Sequence, residues 1–314
     1  MPLTQLNFQP GIDTENTATG AEGKWIDCDK VRFRKGLPQK IGGWIKFSPE
    51  YYVGVGRSLE QWFALTGTRF EALGTDRKVY AYSAGTSQDI TPIRSTEALV
   101  NAISTTSSSD IITITDTAHG AIQGDFVTLS SVSAAVGGIP AATLDAEYEI
   151  LSIANVDAYT IQSSATASSA VGPIANCTVN YQLNIGPSLQ TFGYGWSSGA
   201  WSAGTWGTAR TTSNVTIDAR LWSINNWGED LIITQKDGGT YEWDTSAGMT
   251  DNRATIIANA PTTSTSSLVS TETRHVICIG TETTIGNPAT QDKMFIRWSD
   301  QENYNQWTPN VTNS

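Results

Sequence analysis

Along most of the chain, apolar residues recur at every second position in short runs closed by Gly, Asn, Asp or Pro. Residues 111–115, 126–129, 148–151, 158–161 and 178–183 read this way. One longer unit occurs twice, 161 residues apart: residues 70–82 align with residues 231–243. Each copy predicts a strand, a tight turn opened by Asp76 or Asp237, and a second strand with aromatics two apart on one face. Those aromatics are Tyr80 and Tyr82 in the first copy, Tyr241 and Trp243 in the second. In the second turn the glycines after Asp237 are expected to take the positive φ. An imperfect third copy carries Asp292, Phe295 and Trp298. No stretch keeps helical spacing, so the expected fold class is all-β, a β-propeller-like array of aromatic hairpins.

Charge placement divides the chain. No Lys or Arg lies between Arg94 and Arg210, and no Trp between Trp62 and Trp196, although the same stretch holds Asp110, Asp116, Asp125, Asp145, Glu147, Glu149 and Asp157. So abrupt a shift predicts an inserted small β-sandwich or barrel at 97–184. The rest is expected to form an extended N-terminal segment, 1–50, and a propeller-like domain from 51–96 and 185–314. With the insertion removed, the spacing of the two copies leaves room for part of another blade, at roughly 40–50 residues per blade. In that gap Trp196, Trp201 and Trp206 recur every five residues among Gly, Ser and Ala. Trp at odd spacing alternates faces on a strand, which favours Gly-broken short strands or loops. The plainer reading has these rings plugging gaps between blades; the sharper one makes them a gate or a glycan-stacking surface.

A net charge of −11 argues against wrapping nucleic acid. Basic residues cluster only at Lys30, Arg32, Arg34 and Lys35. There Arg32 and Arg34 share one strand face, opposite Val31 and Phe33, which suits an ion-paired assembly contact with an acidic neighbouring subunit. The start has neither a basic n-region nor an apolar run, and nothing approaches the roughly 20 apolar residues of a membrane span. Cys28, Cys177 and Cys278 have neither zinc nor disulfide spacing and are expected to be small buried hydrophobes. His119 and His275 are the only histidines, and no phosphate loop, zinc-binding helix or nucleophile elbow occurs. Glycosidase chemistry needs only two carboxylates. Thr234 to Tyr241 comes near the Ser/Thr-x-Asp-x-Gly-x-Thr-Trp hairpin of sialidase propellers, but one residue too many separates Thr234 from Asp237. That pattern predicts a turn and no catalytic acid. The expectation is a protein that is not an enzyme and carries no catalytic, metal or cofactor site.

Pro10-Gly-Ile-Asp13-Thr-Glu15, then Trp25-Ile-Asp27-Cys-Asp29-Lys-Val-Arg32-Phe-Arg34-Lys-Gly36-Leu-Pro38, resembles the opening of tail proteins of short-tailed bacteriophages. Arg297-Trp298-Ser-Asp300-Gln-Glu-Asn303-Tyr-Asn-Gln-Trp307-Thr-Pro309 resembles a second block of the same proteins, and His119-Gly with Gly124-Asp-Phe-Val127 is similar to β modules of phage structural proteins. The family is the tail nozzle: tail tubular protein B and the packaged-DNA stabilisation proteins. The resemblance implies a propeller-based virion subunit, assembled in the host cytoplasm. Six copies would form a ring below the portal and adaptor that retains packaged DNA, lets it pass without sequence-specific binding, and seats fibres or spikes. No catalytic residues come with that family. Its members are often longer, so the array is expected to be incomplete in its last blade or completed by another route. The alternatives are a glycan-binding fibre or lectin-like propeller and a glycan-cleaving tail enzyme.

Overall fold

The computed structural model describes residues 9–43, 45–46, 50–190 and 218–308. It is an all-β protein with several antiparallel sheets. The chain divides into two compact units, Met1–Phe47 and Ser48–Ser314.

The N-terminal unit is built around one hairpin, β1 (Val31–Arg34) and β2 (Leu37–Lys40). Its two-residue turn, Lys35-Gly36, has φ of 52° and 80°. Two successive positive φ values make the mirror-image turn whose twist matches that of paired strands. Upstream, Ile12 bridges Trp25, and the Asp13 carboxylate accepts from Lys24 Nζ at 2.7 Å. Ala21 is the only fully buried hydrophobic residue among those described in this unit.

The second unit begins with a four-stranded meander, β3 (Gly56–Phe63), β4 (Arg69–Thr75), β5 (Val79–Ser83) and β6 (Thr86–Asp89). The chain then enters an eight-stranded sheet. Its strands are β7 (Ile93–Leu99), β8 (Ile103–Thr105), β9 (Ile111–Thr115), β10 (Phe126–Ser130), β11 (Glu147–Asn155), β12 (Ala158–Gln162), β13 (Val171–Ile174) and β14 (Cys177–Gln182). The order across it is β13-β8-β9-β12-β11-β10-β14-β7. Strand β11 pairs with β10 through its first half and with β12 through its second, with irregularities at Ile150/Ser152 and Ile153/Asn155. Such breaks bend a strand, and here they wrap the sheet around its own core of Ile103, Ile112, Ile114, Val127, Leu129 and Ile161. The sheet starts at Ile93, ahead of the expected boundary at 97, because β7 pairs with β14 from Ile93 onward.

A second meander follows, β15 (Trp222–Trp227), β16 (Asp230–Gln235), β17 (Thr240–Trp243) and β18 (Thr255–Ile256). A third has three strands, β19 (Ser266–Val269), β20 (Val276–Ile279) and β21 (Ile296–Trp298). The two copies of the repeat are thus the second and third strands of the first two meanders. The three meanders stack in file. The first turns Trp62, Phe70, Ala72 and Val79 to the second, which meets them with Trp222, Ile224, Leu231 and Trp243. A Cβ on Gly74 would lie 2.8 Å from the Trp222 ring, so this position admits no side chain without displacement. The opposite face of the second sheet sets Trp227 and Ile232 against Val276 and Cys278 of the third.

Register shows that this stacking has a sense. Gly74 pairs with Val79, whereas Thr234 pairs with Thr240, so the second turn is one residue longer. Tyr80 and Tyr82 pair with Leu73 and Glu71, on the face turned away from the second sheet. Tyr241 and Trp243 pair with Ile233 and Leu231, on the face turned back toward the first. Both aromatic pairs therefore lie on the same side of their own sheets, as consecutive blades require. Among the described residues the three sheets form an open row; closure into a propeller is not part of it. Two expectations are corrected here. Asp237 itself takes the positive φ, 56°, because its N–H donates to Ser264 O at 2.7 Å and holds the chain there. In the third copy Trp298 pairs with Ile277 on the outward face, opposite in sense to Trp243.

Candidate functional site

The densest polar construction lies where the eight-stranded insertion meets the stack. Lys78, in the β4–β5 turn, sends Nζ to Asp89 Oδ2 at 2.8 Å and to Glu147 Oε1. Arg253 bridges the same two carboxylates at 3.2 and 3.3 Å. Gln182 Nε2 donates to Glu147 Oε2 at 2.5 Å, and Phe126 stacks beneath Lys78 with its centroid 4.1 Å from the ammonium. Glu147, Gln182 and Phe126 belong to the insertion, Lys78 and Asp89 to the first meander, and Arg253 to the second. Burial alone pulls the Asp89 carboxyl upward, but Arg253 and Lys78 outweigh it and hold the group below its ordinary range. Two carboxylates face each other here, yet both are held by the same two fixed cations. That is the chemistry of a joint and not of a proton donor.

A second cluster lies inside the insertion, beside a cleft of about 260 Å³ lined by Arg94, Asp116, His119 and Tyr181 among others. Tyr181 Oη donates to Asp116 Oδ2 at 2.5 Å and lies 3.2 Å from Tyr159 Oη. Burial, with Tyr159 and Asp116 adding to it, pushes the Tyr181 phenol far above its usual range, so it stays protonated. His119 accepts from Ala121 N–H at Nδ1, 3.0 Å away, and its Nε2 faces Asn155 O at 3.3 Å. Both ring nitrogens are thus engaged by backbone groups. Arg94 Nη2 donates to His119 O at 2.7 Å, and its guanidinium covers the Tyr181 ring. The cluster ties the 116–121 turn to β14 and leaves no free base. Asp125 is a further organiser: its carboxylate accepts from Ile122 N and Ile185 N at 2.8 Å each, and burial raises its pKa.

The residues singled out in the sequence are scattered. Arg32 and Arg34 share one exposed face of the N-terminal hairpin, and Val31 and Phe33 are half-buried on the other. Arg32 Nε donates to Gln39 Oε1 at 3.0 Å, and Lys30 lies 3.4 Å from Asp29. Lys35 is the exposed turn residue. Trp196, Trp201 and Trp206 lie outside the described residues. Cys177 and Cys278 are buried, but Cys28 is only half-buried, since its unit has almost no interior to receive it. His275 makes a 2.8 Å hydrogen bond with Ser299 O across the third sheet. The Lys78–Asp89–Glu147–Arg253 joint escaped sequence reading because its members are spread over 175 positions; the one signal was the scarcity of basic residues around the insertion.

No family model matches the chain, and no curated protein does. Among solved structures it is similar to the phage phi92 endosialidase, at 11% identity and a TM-score of 0.25. The match covers 80% of this chain and 39% of that one, so the chain spans well under half of its length. The expectation that the chain is not an enzyme is corrected on this finding, because the protein matched is by its title an enzyme. At that TM-score the likeness assigns no activity in its place.

Proposed function

We propose that the chain is a structural subunit of a phage short tail, forming the ring-shaped nozzle below the portal and adaptor through which packaged DNA is retained and released. The observation that carries this reading is the file of antiparallel sheets stacked in one sense, with a second β body held to it by a four-member ion network. A blade array with a pinned appendage presents surfaces at fixed angles, which is what a ring carrying fibres or spikes requires. Charge supports it as well. A net −11 repels phosphate at close range, and with a screening length of about 8 Å in physiological salt that repulsion acts only where a bore is narrow. DNA would slide in such a channel without adhering.

Arg32 and Arg34 serve as the contact to an acidic face of a neighbouring subunit or the adaptor. The test is the mass and shape of the purified particle by light scattering and electron microscopy. A sixfold ring with an axial channel is expected, and Arg32→Glu with Arg34→Glu should impair assembly while leaving the fold intact. A stable trimer that binds glycans would overturn the nozzle reading in favour of a fibre.

A further inference from the structure

Each sheet interface inside this protein joins the forward face of one meander to the rear face of the next, which is aromatic in the second meander (Tyr241, Trp243) and aliphatic in the third (Val276). Two faces at the ends of the row have no sheet against them among the described residues. At the rear, β3 exposes Leu59 and Phe63, which are 71% and 59% accessible. Leu59 pairs with Leu73, and Phe63 with Arg69. The rest of that face is closed by residues 50–55: Val53 N donates to Tyr80 Oη at 3.0 Å, and Tyr80 and Tyr82 are buried. At the front, Leu268 and Trp298 both pair with Ile277, and Ile296 pairs with Ile279. Ile296 and Trp298 are 50% and 58% accessible.

The exposed strand rows of the two faces carry no unpaired charge. The rows at the front are apolar apart from Ser266, and at the rear Arg69 and Glu71 neutralise each other. In a chain of net charge −11 these are the surfaces on which two copies can approach without repulsion. We infer that the protein self-associates head to tail, the Leu268/Ile296/Trp298 face of one copy seating on the Leu59/Phe63 face of the next. The occupant is a second copy because the contact continues an interface already built twice within the chain, in the same sense. The two faces differ, so the contact is heterologous and does not stop at a dimer; it propagates to a ring or a filament. This deepens the ring reading by naming the surface, but it rests on strand register alone.

The test is complementation. In sedimentation velocity, the unaltered protein should form assemblies that grow with concentration. Phe63→Asp and Trp298→Asp should each reduce assembly by tenfold or more. Mixed together, the two variants should yield dimers and nothing larger, because each retains one intact face. As a second readout, Leu59→Cys and Trp298→Cys chains, both carrying Cys28→Ser, should form a mixed disulfide on mild oxidation and none when either is alone. A protein monomeric at all concentrations overturns the inference, as does a disulfide formed by either variant alone. Sixfold rings that assemble normally from Trp298→Asp would sink this contact and leave the nozzle reading standing. Open filaments that need Trp298 would do the reverse.

Discussion

The insertion and the stack of meanders are both antiparallel β, and they solve the problem of the sheet's second face in opposite ways. The insertion bends one long sheet at β11 and closes it on an aliphatic core in which Ile103, Ile112, Ile114 and Ile161 are fully buried. It needs no neighbour to complete that core. Each meander is short, and between meanders the faces are buried sheet against sheet through large rings such as Trp62, Trp222 and Trp243. A sheet at the end of the row therefore leaves apolar rows at the surface. The inserted body completes its own core, whereas the stack leaves the apolar rows at its ends that the inferred self-association would use.

The largest effects should follow from attacking each core separately. Trp243 is fully buried, with ring centroids 6.1 Å from Trp62 and 6.0 Å from Phe70, and its N–H donates to Asn252 O. Trp243→Ala should cost about 3–5 kcal/mol, and Ile114→Ala about 2–5 kcal/mol. If the two regions are distinct bodies, calorimetry of the full chain should show Trp243→Ala lowering one transition and Ile114→Ala another. A single transition lowered equally by both would mean that the insertion and the stack form one cooperative unit.

Coupling between them should reside in the joint. Lys78→Met retains the stem over Phe126 but leaves Asp89 and Glu147 facing each other with Arg253 alone. Lys78 is buried but its three partners stay partly exposed, so its removal should cost less than the about 3–5 kcal/mol of a fully buried pair. The expected outcome is two transitions further apart than in the unaltered chain. Phe126→Leu, which keeps the ion pairs, should move them far less. Equal effects would assign the coupling to packing.

The strands were legible in the sequence for a simple reason: a period of two is a local signal. Tyr80/Tyr82 and Tyr241/Trp243 marked the third strand of each meander correctly because aromatics two apart need no tertiary information. Asp237 misled, since its positive φ is imposed by Ser264, a residue from the next connection. Trp298 misled for a similar reason: the β20–β21 connection is long and places the third copy in a different register. The joint left only an indirect trace, the scarcity of basic residues in the insertion. Lys78, Asp89, Glu147 and Arg253 come together only after three sheets have formed, and nothing at their spacing announces it.

The smallest effects, and the sharpest in sign, should appear in the dependence on pH. Glu282, in the third meander, is buried; burial raises its pKa, but backbone N–H groups of Thr262, Gly286 and Thr263 more than reverse this and hold it below the ordinary value. A depressed folded pKa contributes stability that is whole above the unfolded value, about 4.3, and is lost as pH falls through the folded one. Asp125, in the insertion, is shifted the other way by burial. Its raised folded pKa means that stability present below about 3.9 is lost as pH rises through the folded value. Acidification from pH 6 should therefore weaken the stack transition through Glu282 and relieve the insertion through Asp125. Glu282→Gln should flatten the first dependence only, and Asp125→Asn the second only. If both transitions move in the same direction with acid in every variant, then groups outside these two carboxylates govern the response, and the contrast between the two bodies does not extend to their titration.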